Sequence, residues 1–198
     1  MNAVEKIVPE QIMEAPTSAS PLGYSRSKWV AERICHNANE STRLRSRIAI
    51  LRVGQLSGDT RNGIWNTQEA WPMMLSTARL TGCLPALKDE PLNWLPVDTA
   101  AKAFVQALSS MCTDGKASRQ SRTRVYHVIN EHQKPEWVNL LPWLKKMEEF
   151  DVVGPREWLA HLEKSKELKE GKYHPAMKLL GHWKNAYGDL SLESTKAR

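Results

Sequence analysis

Arg47-Ile-Ala-Ile-Leu-Arg-Val53, closed by Gly54, is the stretch from which the architecture unfolds. Its centre is a β-branched, apolar run without polar alternation. A run of that kind predicts a strand covered on both faces, as in a parallel sheet. Just upstream, residues 24–40 read as a helix. Val30, Ile34 and Ala38 recur at i, i+4 and i+8 and make one apolar face. Residues 1–22 hold Pro9, Pro16 and Pro21 among Ser, Thr and Glu, and predict an irregular lead-in.

Downstream, residues 54–66 carry Gly54, Gly58 and Gly63 and read as a loop. Residues 67–81 look helical despite Pro72. Pro85 and Pro91 punctuate a further loop, and Trp94-Leu-Pro-Val97 is a short extended piece. Asp98 suits the N-cap of a helix through about Met111, with Ala101, Val105 and Leu108 on one face. The polar stretch 113–122 reads as a linker, and Val125-Tyr-His-Val-Ile129 as a second buried strand. Helices are expected near 135–149, 155–170 and 174–186. The first of these has a stripe of Trp137, Leu140, Leu141 and Leu144. Strands and helices that alternate in this way define an α/β fold with a parallel sheet, followed by helices.

The chain has 198 residues, 41% hydrophobic and 25% charged, which suits one globular domain with at most a small appendage. Eight Trp against two Phe is an unusual balance. No apolar run reaches the length of a membrane-spanning helix, and the first ten residues lack an apolar signal core. Cys35, Cys83 and Cys112 lie far apart without a CxxC, which argues against a disulfide framework or a zinc site. The expected compartment is a reducing cytoplasm. The six His show no metal-ligand spacing. The net charge of +6 sits mainly in the second half. Part of it is Lys116-Ala-Ser-Arg-Gln-Ser-Arg-Thr-Arg124, whose interleaved polar residues read as a solvated loop rather than a nucleic-acid stripe. The expectation is therefore no metal, no membrane and no nucleic acid.

The sharpest chemical signal is Gly23-Tyr-Ser-Arg-Ser-Lys-Trp-Val30. Tyr24 and Lys28 are four apart on the predicted helix, so they share a face. An ammonium beside a phenol favours the phenolate, and a Tyr so placed becomes a usable proton donor near neutral pH. The same spacing also occurs in ordinary surface pairs. Other constellations carry less. Gly54-Gln-Leu-Ser-Gly58 has one residue too many before its Ser to form a nucleophile elbow. Arg52, at a strand end, and His127, inside a strand, read as structural. Asp98 reads as a cap, and Glu148-Glu149 as a solvated helix face.

Several blocks in register are more specific than that pair. They are Gly23-Tyr-Ser-Arg-Ser-Lys-Trp-Val-Ala-Glu-Arg33, Leu51-Arg-Val-Gly-Gln-Leu-Ser-Gly-Asp-Thr-Arg61 and Gly63-Ile-Trp-Asn-Thr-Gln68. They continue through Trp94-Leu-Pro-Val-Asp98, Val125-Tyr-His-Val-Ile-Asn130 and Trp137-Val-Asn-Leu-Leu-Pro142. On these blocks, from about residue 23 to about 181, the chain resembles the extended short-chain dehydrogenase/reductase superfamily. Within it, the chain resembles the thioester reductase domains of fungal non-ribosomal peptide synthetase-like proteins and carboxylic acid reductases. The resemblance implies the C-terminal part of a Rossmann-type parallel sheet with a mostly helical substrate-side cap. It divides the chain into a lead-in at 1–22, the later half of the reductase core with substrate-loop insertions at 23–130, and a helical region at 131–198.

The resemblance also implies an activity: NADPH-dependent reduction of an acyl thioester, held on an acyl or peptidyl carrier protein, to an aldehyde or alcohol. Tyr24 would be the proton donor, and Lys28 would support it and hold the nicotinamide ribose. Gly54, Gln55 and Leu56 would meet the cofactor, and Trp65 and Asn66 would line the substrate pocket. The chain departs from the pattern in one large respect. A dinucleotide fold grips the pyrophosphate with a Gly-rich turn before its first helix, and no GxGxxG motif occurs in these 198 residues. Thr17, Ser18 and Ser20 read as loop residues rather than as the family's catalytic Ser or Thr. Val53 stands where Pro is common. The expectation is an N-terminally truncated reductase of secondary metabolite biosynthesis. The rivals are a non-catalytic module that binds a carrier protein or synthetase, and a reductase of a free small molecule.

Overall fold

The computed structural model describes residues 8–44, 47–113, 123–132, 134–167 and 174–189. They form two compact units. The first comprises residues 1–56 and 94–130, the second residues 57–93 and 131–198.

In the first unit, α1 (Gly23–Ser41) runs into β1 (Ala49–Val53). The buried Asn39 makes the joint, because its Oδ1 accepts the Ile48 amide at 3.2 Å. Thr42 closes the helix, its hydroxyl donating to the Ala38 carbonyl at 2.6 Å. Parallel pairing joins β1 to β5 (Arg124–Val128), with Ala49 opposite Arg124 and Arg52 opposite His127. The expected parallel strands are therefore present, and Gly54 extends the ladder by donating to the Val128 carbonyl at 3.0 Å. Next, β2 (Leu56–Ser57) pairs with β4 (Leu95–Pro96). The helix α3 (Val97–Thr113) follows at once. It begins one residue before Asp98, which therefore lies in the first turn rather than at the cap. Most of the anticipated linker, residues 114–122, lies outside the described residues.

Two apolar stripes expected to be covered stand in solvent. Val30 and Ile34 on α1 are 46% and 64% exposed, and Val105 and Leu108 on α3 are 65% and 62% exposed. The reason is dimensional. The helices have 19 and 17 residues, about 25–28 Å each, while β1 and β5 have five residues each, about 17 Å. Among the described residues, β1 has β5 on one edge and no strand on the other. Two short strands cannot cover both helices.

The second unit holds most of the buried tryptophan. Its first helix, α2 (Ala70–Thr81), accepts Pro72 because the first turn has no intrahelical acceptor for that position. It ends at Gly82, whose left-handed φ of 72° suits glycine. A parallel pair follows: β3 (Cys83–Pro85) and β6 (Asp151–Val153). A reciprocal pair of bonds between Glu136 and Asn139 caps α4 (Trp137–Leu144). The last helices are α5 (Pro155–Glu167) and α6 (Leu180–Tyr187). The helix expected from 174 instead opens as a 3-10 turn, Pro175–Leu179, before α6.

Trp137, Trp158 and Trp183 are at most 2% exposed. Two of the three have an identified acceptor: Trp137 Nε1 donates to the Pro85 carbonyl at 2.7 Å, and Trp158 Nε1 to Thr77 Oγ1 at 3.0 Å. The rings of Trp158 and Trp183 pack with centroids 5.0 Å apart. Buried indoles take this form, with apolar rings in the core and N–H groups on acceptors.

Candidate active site

Tyr24 and Lys28 occupy the first two turns of α1. Lys28 Nζ lies 5.1 Å from the Tyr24 ring centre. Tyr24 is 74% exposed, so its phenol is open to a reacting group. The pair borders two hollows within the first unit. One, of about 550 Å³, runs along β1 and is lined by Lys28, Cys35 and residues 49–53. The other, of about 360 Å³ and open to solvent, lies against the lead-in and is lined by Val8, Met13, Ser18, Ser20 and Trp29. Ser18 and Ser20 are thus on its wall. The Ser18 hydroxyl donates to the Ala15 carbonyl at 2.7 Å, and Ser20 Oγ accepts the Leu22 amide at 3.3 Å.

Arg52 ties the lead-in down. Its Nε and Nη2 donate to the two Glu32 oxygens at 2.9 and 2.8 Å, a bidentate pair. Its Nη1 donates to the Pro9 carbonyl at 3.1 Å and Nη2 to the Gln11 carbonyl at 3.0 Å. His127 Nε2 lies 3.2 Å from Nη1. The hydrogen bond to Glu32 raises the Arg52 guanidinium above its ordinary range. Two more ties complete the strap. Trp29 Nε1 donates to the Met13 carbonyl at 2.9 Å, and the His127 amide donates to Glu10 Oε1 at 2.5 Å. Arg52 is structural, as its place at a strand end suggests. What the sequence reading missed is that Met13, Trp29 and Glu32 share a wall with Tyr24. The lead-in's irregular composition hides this.

The remaining site candidates are placed as follows. Gly54, Gln55 and Leu56 follow β1 directly. A Cβ at Gly54 would meet Ile129 Cγ2 at 3.3 Å, so glycine fits the close approach of this turn. The Gln55 carbonyl accepts the Leu95 amide at 2.8 Å, and its side chain donates to the Leu56 carbonyl at 2.9 Å. None of these three lines the two hollows beside Tyr24. Trp65 and Asn66 belong to the second unit, where Trp65 Nε1 donates to Glu69 at 3.2 Å and Asn66 Oδ1 accepts the Gln68 amide at 3.0 Å.

For a nicotinamide nucleotide, the fitting features are the parallel pair β1–β5, the glycine turn after β1 and the hollow along β1 that Lys28 borders. Ligands of open α/β sheets sit at the carboxyl ends of the strands, where this turn lies. Among the described residues no group of His, Cys, Asp and Glu is arranged to hold a metal ion, and no helix is long and apolar enough to cross a membrane.

The parallel β1–β5 pair, with α1 before it, fits a nucleotide-binding α/β fold. The chain belongs to the male sterility protein family of NAD-binding domains, whose pattern matches residues 2–104. It is 30% identical over 172 residues to the non-reducing polyketide synthase SAT8 of Stachybotrys chartarum, covering 84% of this chain and 6% of that one. It is 31% identical over 189 residues to the adenylate-forming reductase Nps10 of Heterobasidion annosum, covering 90% of this chain and 16% of that one. The terminal R domain of the myxalamid PKS-NRPS pathway shares the fold with a TM-score of 0.60 and 24% identity, over 96% of this chain and 46% of that one. The reductase domain of a Mycobacterium tuberculosis non-ribosomal peptide synthetase does so with a TM-score of 0.64 and 21% identity, over 89% and 42%. The chain thus spans a small part of these synthetases and under half of the solved domains. It is a reductase-family domain of the kind found in secondary metabolite synthetases.

Proposed function

We propose that this chain supplies the proton-donating wall of a site that reduces a carrier-bound acyl thioester to an aldehyde with NADPH. The observation that carries the reading is the exposed Tyr24 with Lys28 one turn away, bordering both a strand-side hollow and a lead-in hollow. The strand-side hollow suits the nicotinamide end of the cofactor, with Lys28 as the ribose-holding cation and Gly54 to Leu56 as the adjoining turn. When bound there, a reduced nicotinamide would supply the hydride for the thioester carbonyl carbon. Tyr24 gives its proton to the carbonyl oxygen, so that charge does not accumulate there. The C–S bond of the resulting hydroxyl adduct would then break, the hydroxyl proton passing to the departing sulfur, so that the carrier-arm thiol and the aldehyde are released. The names of the relatives, polyketide synthase and adenylate-forming reductase, support a carrier protein or synthetase as partner.

The test offers the chain NADPH and an acyl thioester on a carrier protein. It is run with and without the separately expressed stretch of the Heterobasidion annosum adenylate-forming reductase that precedes the part matched by this chain. Aldehyde should form in the complemented mixture, and Tyr24→Phe should lower its rate about 10²–10⁴-fold. Aldehyde formation indifferent to Tyr24→Phe, or none under either condition, contradicts the reading. If the acyl carrier still binds, the second outcome favours a binding module.

A further inference from the structure

We propose that Arg52, beyond tying down the lead-in, acts through Glu32 as a positioning residue for the Tyr24–Lys28 pair. By taking both Glu32 oxygens it prevents an ion pair between Glu32 and Lys28, and so leaves the Lys28 ammonium beside Tyr24. This rests on the reductase reading and adds two side chains to it.

Three observations carry it. The first is the order of residues on α1. Tyr24, Lys28 and Glu32 stand at i, i+4 and i+8 along one side of the helix, and all three border the same two hollows. Opposite charges four apart on a helix attract, so α1 alone would pair Lys28 with Glu32. The structure pairs neither with the other. Lys28 Nζ stands over the Tyr24 ring, 5.1 Å from its centre, and among the described residues no carboxylate pairs with it. Both Glu32 oxygens accept from Arg52 instead, at 2.9 and 2.8 Å.

The second is the inequality of the two cations. A guanidinium presents a planar fork that matches a carboxylate, whereas an ammonium is a strongly hydrated point charge on a flexible stem. The Arg52 and Glu32 side chains are both 19% exposed, a setting in which two parallel charge-assisted bonds outcompete one.

The third is that the fork is held in place. Arg52 Nη1 donates to the Pro9 carbonyl and Nη2 to the Gln11 carbonyl. A guanidinium cannot accept, so the contact of Nη1 with His127 Nε2 makes that ring nitrogen the acceptor. Every N–H of Arg52 is thereby engaged, and the strand register fixes Arg52 opposite His127. No donor is left for a ligand, so Arg52 reaches the site only through Glu32. Without Arg52, a half-buried carboxylate would lose its partner, which is costly. Lys28, one turn back, is the cation that α1 offers it.

The experiment uses the full chain without cofactor. It reads the nuclear Overhauser effect between the Lys28 ε-methylene and the Tyr24 ring protons, assigned by its disappearance in Lys28→Met. Wild type and Glu32→Gln should both show it. Arg52→Met, which frees Glu32, should lose it. The double variant Glu32→Gln/Arg52→Met should regain it, although it lacks the Arg52 ties to Pro9 and Gln11 as fully as the single variant does. A merely structural Arg52 would not give that recovery. Circular dichroism and thermal melting identify any variant that has not folded. If Arg52→Met is one, Arg52→Gln, alone and with Glu32→Gln, takes its place. The contact persisting in the folded Arg52 variant, staying absent in the double variant, or missing from wild type or Glu32→Gln would overturn the proposal. In the complemented mixture, the KM for NADPH should rise in Arg52→Met and recover in the double variant, and an unchanged KM would also overturn it. The two readings fail separately. The contact can follow Glu32 where no aldehyde forms, which sinks the reductase reading alone, and aldehyde can form with a KM blind to Arg52, which sinks this proposal alone.

Discussion

The Lys28 ammonium stands 5.1 Å from the centre of the Tyr24 ring, both on the exposed start of α1. Neither side chain supports the core, so both can be altered without loss of fold. Lys28→Met should lower the rate of aldehyde formation at least about tenfold and raise the KM for NADPH, with the melting temperature unchanged. Lys28→Arg should restore part of the rate. Steady-state kinetics beside thermal melting checks this. A large drop in melting temperature would mean that the pair is structural.

Arg52 should matter to stability and to the lead-in together. Its bonds to Glu32, Pro9 and Gln11 involve a side chain 19% exposed. Hydrogen bonds to charged groups contribute about 1.5–3 kcal/mol, and solvent access lowers that figure here. Arg52→Lys keeps the charge and loses the fork, so it should destabilise the fold by about 1–2 kcal/mol in urea unfolding. It should also speed proteolytic cleavage within residues 8–22. Unchanged cleavage would show that the strap is held by other means.

Thr77 joins α2 to α5. Its hydroxyl donates to the Met74 carbonyl at 2.6 Å and accepts from Trp158 Nε1 at 3.0 Å. Thr77→Val keeps the shape and leaves a fully buried indole N–H without its acceptor, which costs about 1–3 kcal/mol. Thr77→Ser should cost less. Urea unfolding of the two variants provides the comparison.

Tyr187, 6% exposed, has its phenol pushed well above the ordinary range, first by burial and then by the charge of Glu90. The folded state therefore holds this proton more tightly than the unfolded chain does. The stabilisation is complete below the unfolded value near pH 10 and is lost as pH rises above it. Stability should fall with alkaline pH, and Tyr187→Phe should flatten that fall while changing the neutral-pH value in its own right. Unfolding free energies across this range would show both effects.

Much of the scaffold was legible in the chain. Ile48 to Val53 and Val125 to Val128 are apolar enough for both strands to be read, and the parallel pairing followed from the helices between them. Tyr24 and Lys28 were legible because a helix fixes the direction of residues four apart. Burial was not legible on α1 and α3. Their periodic stripes, Val30–Ile34 and Val105–Leu108, describe a face that suits packing, but periodicity does not say whether a covering surface exists. The wall formed by Met13 and Trp29 was hidden for another reason. It depends on Arg52 reaching across more than forty residues to backbone carbonyls, and carbonyls leave no mark in composition. Pro175 starts a 3-10 turn rather than the expected helix, a choice between local geometries that the apolar pattern cannot separate.

The most direct measurement follows deuterium from NADPH labelled at the nicotinamide C4, in the complemented mixture with an acyl-loaded carrier protein. The account predicts deuterium on the aldehyde carbon, at a rate that falls about 10²–10⁴-fold in Tyr24→Phe. Aldehyde without deuterium, or labelled aldehyde formed at the same rate by Tyr24→Phe, would contradict it.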